Sequence, residues 1–275
     1  MLKSNDLFIH EKDELVYISF PKLDSVKGVT ALFTTRMGGV SKGQYASMNK
    51  TTTNGDDLNS VKRNYEIICK AVNIDPKNLV LSKQTHTDNI RTVTKEDCGK
   101  GIFSERDYDD VDGLITNVKG IALVTQFADC TPLLFYDPVN KVIANVHSGW
   151  RGTVKQIGAK AVKRMTEEFG SNPSDIIAAI GPCIGKCCYE VDTPVYSEFE
   201  KVAGLDLSAI FTQKNDDKYM LDLWEANRQI LISAGVKPEN IDVTDLCTHC
   251  HSEYFHSHRA TGGMRGNLAA IISLV

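Results

Sequence analysis

No apolar stretch in the chain approaches membrane-spanning length, and its first residues, MLKSNDLFIHEKDEL, are too polar for a secretory signal. Together these absences make the cytoplasm the expected compartment. Low-complexity segments and obvious repeats are missing, and no Pro/Gly/Ser-rich linker divides the 275 residues. That length suits one large domain or two small ones and can bury a substantial core. Runs of Lys and Arg are also absent and the formal net charge is -4, which disfavours nucleic acid as a partner. Cysteine is plentiful, with eight residues. A chain this long needs no disulfide staples, so without an export signal the thiols are expected to be reduced or to act as ligands.

Chemistry concentrates in residues 128–152, ADCTPLLFYDPVNKVIANVHSGWRG. Two polar clusters, Ala128-Asp129-Cys130 and His147 through Gly152, bracket a hydrophobic hairpin. Residues 132–136 and 141–146 read as its strands, and Asp137-Pro138-Val139-Asn140 carries turn chemistry. Such a hairpin brings its ends together and sets Cys130 near His147. A thiolate beside an imidazole is either a pair of metal ligands or a nucleophile with its base. The plainer alternative is a half-buried Cys beside a hydrogen-bonded His.

Elsewhere, residues 17–20, 29–34, 79–82, 90–94, 113–116, 121–127, 176–180, 219–221, 241–246 and 268–274 read as strands. A helix is predicted after Asp56 or Asp57, with Leu58, Val61, Tyr65, Ile68 and Val72 on one face. Another should follow Arg151-Gly152, burying Val154, Ile157, Ala161 and Met165 and stopping at Gly170. Residues 193–202 and 223–234 are further helices. Strands outnumber helices without regular alternation, which predicts an α+β fold of mixed β-sheets flanked by helices.

His86, in QTHTD, joins Cys130 and His147 as a residue at a strand end or in a polar loop. One Cys and two His make a three-ligand zinc set that leaves a fourth position open. Their separation in the chain is not that of a local zinc finger. Arg36, in TTRMGGVS, and Arg151 each sit among glycines, where backbone approaches an anion closely and a guanidinium can grip phosphate; a surface arginine in a loop is the alternative. Asp88 and Asp129 adjoin the candidate ligands and could orient an imidazole or shuttle protons, or simply cap turns. Cys247 and Cys250 form CTHC ahead of His256 and His258, an incomplete pattern for a second zinc. Cys187 and Cys188, adjacent in GPCIGKCCYEV, are not expected to bind one metal comfortably and read instead as small buried hydrophobes.

These motifs, TTRMGGVS, QTHTD, DGLIT, ADCTPLLFYDP, VHSGWRGT, IGPCIGKCCYEV and CTHC…FHSHR, together resemble the YfiH/DUF152 family. Its members have been called laccase-domain or polyphenol oxidase proteins and, more recently, purine nucleoside phosphorylases. The likeness runs from about Gly28 to the C-terminus. It leaves residues 1–27 as an N-terminal extension or edge strand and 28–275 as the catalytic domain. One departure lies at residues 261–267, where the family's TGR pattern is blurred, and this puts a peripheral contact in doubt.

The resemblance implies a single layered α+β domain and a zinc held at His86, Cys130 and His147. It also implies phosphorolysis of adenosine, inosine, guanosine and methylthioadenosine, with deamination of adenosine. On this reading one site serves both reactions. Asp129 is the candidate acid, Arg36 and Arg151 neutralise phosphate, and Gln84 and Asn49 hydrogen-bond ribose or base. Copper chemistry of the polyphenol-oxidase kind fits poorly with seven histidines in all and no Cys/His/Met copper pattern. A cysteine hydrolase acting on cell-wall peptide or amide bonds, with Cys130 as nucleophile, is a rival enzyme reading. A non-catalytic metal-binding protein is a third. The oligomeric state stays open.

Overall fold

Two six-stranded sheets lie face to face in the computed structural model, which describes residues 1–275. The first has the order β1 (Phe8–Lys12), β2 (Leu15–Ser19), β3 (Val29–Thr34), β15 (Leu268–Leu274), β7 (Ala122–Phe127) and β4 (Leu79–Leu81). The second runs β14 (Ile241–Val243), β10 (Ile177–Ile180), β8 (Thr131–Asp137), β9 (Val142–Ser148), β6 (Gly113–Thr116) and β5 (Ile90–Thr92). A small third sheet has the order β11 (Glu190–Asp192), β13 (Lys218–Leu221) and β12 (Phe211–Asn215). Most pairings are antiparallel, while β4–β7, β5–β6 and β10–β14 are parallel. The fold is α+β with mixed sheets, and it forms a single domain.

Period-two alternation sorts the strand residues into layers. In β15, Leu268, Ala270 and Ile272 face the space between the sheets, where they meet Phe33, Leu123, Leu134, Tyr136 and Ile143. Their neighbours Ala269 and Ile271 face the other way and pack on Val61, Tyr65 and Ile68 of the helix Leu58–Ala71. On the second sheet, Leu133, Phe135, Val142, Ala144 and Val146 pack against Ile157, Ala161, Met165 and Leu231 of the outer helices. The result is helix, sheet, sheet, helix. Every residue of β8, β9 and β15 is buried, because each strand is covered on both faces.

Local chemistry explains the boundaries. The Asp57 carboxylate accepts from the Ser60 N–H and caps the first long helix. In the central turn, the Asp137 carboxylate accepts from Val139 N, Asn140 N and Asn140 Nδ2 and so closes the hairpin. The helix predicted after Gly152 is broken into Trp150–Val154 and Ile157–Phe169, with Gln156 between them at φ 56°. Gly170 ends the second piece in the left-handed conformation. Residues 1–27 contribute β1 and β2 at a sheet edge, and Leu2, Leu7, Ile18, Phe20 and Leu23 enter the intersheet core. No helix is long and apolar enough to cross a membrane.

One polar side chain sits inside the intersheet layer. Asn145 of β9 donates to the Leu123 and Ala270 carbonyls of the opposite sheet, both at 2.9 Å, and accepts from Thr125 Oγ1 at 2.5 Å. These bonds pin the two sheets in one mutual position. Asn145→Leu removes all three and should cost about 3 kcal/mol. The measurement is urea unfolding, where the midpoint should fall with an unchanged slope.

Candidate metal centre

The register of the central hairpin builds the site. Pro132 opposes His147 and Thr131 opposes Ser148, so Cys130, just before β8, arrives beside His147 at the end of β9. Alternate residues of β9 share a face, which turns His147, like Ile143 and Asn145, toward the intersheet layer. Its ring centroid lies 5.4 Å from that of Phe127. The loop between β4 and β5 brings in His86, whose ring stands 4.9 Å from His147 at 61°. Ligand atoms of His86, Cys130 and His147 all lie within 4.8 Å of one another.

Two of the residues that make this approach hold backbone conformations that side chains rarely adopt. His86 has φ 64° and Asp129 has φ 84°. Gly149 supplies the clearance: a Cβ there would stand 3.0 Å from Cys130 Sγ and 3.2 Å from His86 Nδ1. Any side chain at 149 would push the thiol and the imidazole apart.

The carboxylate that holds His147 is Asp112, at the head of the DGLIT strand. Asp88 and Asp129, which sequence adjacency favours for this role, do not fill it. Asp112 is fully buried and accepts from His147 Nδ1 at 2.7 Å. It also accepts from the backbone N–H groups of Thr85, His86 and Thr87 at 3.0, 3.2 and 2.9 Å. Burial pushes its pKa up, but His147 and these N–H donors bring it below the ordinary carboxylate range. With Nδ1 committed to Asp112, Nε2 is the nitrogen left to His147 for ligation. Asp88 instead pairs with Lys155 and Lys160 near the surface. Asp129 lines the cleft, its carboxylate accepting from Thr248 Oγ1 at 2.6 Å and Arg259 N at 2.7 Å.

Electrostatics prepare the trio for a cation. Burial alone would raise the Cys130 thiol, yet the neighbouring His147 and His86 imidazoles pull it down to about 6. Burial would likewise lower His147, but the Cys130 thiolate and the Asp112 carboxylate hold it up to about 9. Each partner favours the charged form of the other, and a metal that binds here displaces the proton from His147 Nε2. One thiolate, two imidazoles and a buried carboxylate behind one of them fit a zinc-type ion.

Above the trio opens a cleft of about 500 Å³. Gln84 lines it, but its amide is committed to Ser82 Oγ and to the Gln126 backbone. Three arginines, Arg106, Arg259 and Arg265, line the same cleft together with Tyr189 and Asn267. Arg106 and Arg259 have no glycine context in the sequence, although Arg259 ends the FHSHR motif, whereas Arg265 lies among Gly262, Gly263 and Gly266 and shares the signal that singled out Arg36 and Arg151. Arg265 and Asn267 belong to the blurred segment 261–267, so that segment is part of the cleft and not a peripheral contact.

Arg36, Asn49 and Arg151 are absent from the lining. The Arg36 guanidinium donates to the Ala46 and Ser252 carbonyls at 2.8 and 3.1 Å. Asn49 is buried and spends its amide on Thr51, Asp56 and the Asn267 N–H. Arg151 lies over the Trp150 ring beside a separate groove. His256 does not join Cys247 and Cys250 in a metal set. It is buried with neither ring nitrogen hydrogen-bonded, and its Nε2 stands 2.7 Å from where a Gly266 Cβ would be.

In chelator-treated protein, alkylation of Cys130 by iodoacetamide should rise with pH through about 6, as the thiol loses its proton. In His147→Ala the rise should move toward the ordinary thiol value of about 8.5. Peptide mass spectrometry reads Cys130 separately from the other thiols. Asp112→Asn frees the His147 ring and should weaken metal affinity roughly 10- to 100-fold in a competition titration with a chelator.

Comparison with known proteins places the chain in a family. A family model described as multi-copper polyphenol oxidoreductase laccase matches residues 30–275. "Purine nucleoside phosphorylase YlmD" of Bacillus subtilis (strain 168) is 42% identical over 253 residues, covering 90% of this chain and 89% of the relative. "Adenosine deaminase RL5", from an unknown prokaryotic organism, is 33% identical over 251 residues, covering 90% of this chain and 94% of its own. The crystal structure of the Bacillus licheniformis hypothetical protein YfiH superposes with a TM-score of 0.92 at 34% identity, covering 98% of this chain and all of that one. With the fold, the ordered motifs and the match across nearly the whole length in agreement, the chain belongs to the YfiH laccase-domain family.

Proposed function

We propose that the cleft is the active site of a zinc-dependent purine nucleoside phosphorylase. Its substrates are adenosine, inosine, guanosine and methylthioadenosine, and it also deaminates adenosine. The observation that carries this reading is the placement of a His86–Cys130–His147 trio in the same cleft as three arginines. The trio suits a metal and the arginines suit phosphate. The relatives named purine nucleoside phosphorylase and adenosine deaminase supply the reaction class.

A zinc ion held by the trio would supply Lewis-acid stabilisation of negative charge on oxygen. Zinc is favoured over copper because this trio is the only group of three or more clustered ligands that contains histidine. A multi-copper centre draws on several. The thiols of such a site stay reduced in the cytoplasm, and all eight cysteines are free.

The chain's own residues divide the remaining work. Arg259 and Arg265 bind phosphate, a role sequence context had suggested for Arg36 and Arg151. Arg265 is suited to it because its buried Nε has no protein partner. In phosphorolysis a phosphate oxygen bonds to ribose C1′ as the bond from C1′ to the base nitrogen breaks. In deamination water adds at C6 and ammonia leaves. Tyr189, half-exposed on the cleft wall beside Arg259, offers a face on which a purine can stack. Asp129 is a positioning residue in this scheme: both its oxygens accept hydrogen bonds that hold Thr248 and Arg259 in place.

A second reading has its own observation. Cys130, His147 and Asp112 line up as nucleophile, base and orienting carboxylate, the arrangement of a cysteine amide hydrolase. His86 packs against the same two side chains, which favours ligation over nucleophilic attack.

The test is a metal count on purified protein coupled to chromatography of adenosine incubated with phosphate. Zinc that is lost when His86 and His147 are replaced, together with adenine and ribose-1-phosphate, or inosine, is the expected outcome. Alanine at His86, Cys130 or His147 should abolish both activities together. Arg265→Ala should raise the KM for phosphate about tenfold, the loss of one charge-assisted contact. Oxidation of phenols with stoichiometric copper and no nucleoside turnover would overturn the proposal. Metal-independent amide cleavage would favour the hydrolase.

A further inference from the structure

A second cluster of soft ligands stands apart from the trio. Cys187, Cys188, Cys247 and Cys250 place their four Sγ atoms within 4.8 Å of one another. Cys187 and Cys250 are exposed, Cys188 is half-buried and Cys247 is buried. The expectation that the vicinal pair would be buried hydrophobes is therefore wrong, and the two adjacent thiols, expected not to share a metal, both reach the same cluster. Chain direction, not composition, explains it: a turn after Gly185 carries both side chains outward to meet the CTHC loop.

We propose that these four cysteines bind a zinc ion as a closed, structural tetrathiolate site. Cys250 Sγ lies 3.5 Å from Cys187 Sγ and 3.4 Å from Cys188 Sγ, close to two sulfurs at once. A disulfide, with sulfurs about 2.05 Å apart, would take one of those partners and discard the other. A tetrahedral zinc with bonds of about 2.3 Å separates its sulfurs by about 3.8 Å, which is the spacing this cluster approaches. Cys247 and Cys250 have CxxC spacing. Two backbone N–H groups, Gly185 N at 3.1 Å and Cys250 N at 3.5 Å, donate to Cys247 Sγ and so favour its thiolate form.

The loops are shaped for this meeting. Cys183 and Cys247 form a parallel bridge, and Thr248 N donates to the Cys183 carbonyl at 3.0 Å. Gly185 lies where a Cβ would stand 3.2 Å from Cys247 Cβ and 3.3 Å from Cys187 Sγ, so glycine lets the loops close. An ion here ties together the two segments that this bridge brings side by side. One segment carries Ile184 and Tyr189 to the cleft, and the other carries Thr248, whose hydroxyl binds Asp129. The site is thus a staple behind one wall of the cleft, independent of the chemistry at the trio.

The experiment compares metal content by mass spectrometry in anaerobically purified full-length protein, in Cys250→Ser, and in His86→Ala/His147→Ala. Wild type should hold two zinc ions per chain, and each variant should hold one. Cobalt added to His86→Ala/His147→Ala should give the intense sulfur-to-metal charge-transfer bands of tetrahedral thiolate ligation. That measurement carries the test even where Cys250→Ser does not fold. Failure of the double variant to take up zinc or cobalt would overturn the proposal. So would recovery of Cys250 in a disulfide-linked peptide from the anaerobic protein. Loss of nucleoside turnover in the double variant is a property of the trio and does not bear on the cysteine site.

Discussion

The buried Asp112 carboxylate is the constraint on which the site depends. It accepts from His147 at the end of β9 and from three successive backbone N–H groups in the loop that carries His86. A single anion thus fixes the tautomer of one imidazole and the position of the other. Its charge is balanced by hydrogen bonds and by His147, which keeps a fully buried carboxylate ionised. Without it, the two histidines would belong to independent elements with nothing to set their separation.

The sheets provide the rigidity behind that arrangement. Asn145, two residues before His147 on the same face, bonds to strands of the opposite sheet. The position of β9 relative to β7 and β15 is therefore set by directional bonds as well as by apolar packing. His147 sits at the rim of this locked layer, where the core gives way to the cleft. Chemistry is placed at the end of a strand bonded to both sheets, and the loops that complete it come from less regular segments.

Those loops meet from distant parts of the chain. Arg106 arrives from the segment after β5, Arg259 and Arg265 from the segment after β14, and Tyr189 from the turn after β10. The cleft gathers positive charge although the protein as a whole carries a net charge of -4. Local concentration of like charge at the mouth of a cleft attracts anionic substrates more effectively than net charge does. The four clustered cysteines lie where two of these segments touch.

Features governed by neighbours in the chain were legible in the sequence. Alternation and helical periodicity disclosed the mixed α+β class, most strands and the long helices. Turn chemistry at Asp137 to Asn140 disclosed the hairpin that brings Cys130 to His147. The break at Gln156 was not legible, since the apolar pattern continues across it. Asp112 was hidden because a carboxylate at the head of a strand looks like any turn residue until the loop it anchors is folded over it. Arg36 and Arg151 looked suited to phosphate from their glycines, but tertiary contacts commit Arg36 to backbone carbonyls and turn Arg151 to another groove. Local pattern thus assigns the elements and the residue types at hand. Which of them share one volume is set by the folded chain, because burial, charge and hydrogen-bond pairing between segments more than a hundred residues apart leave no local pattern.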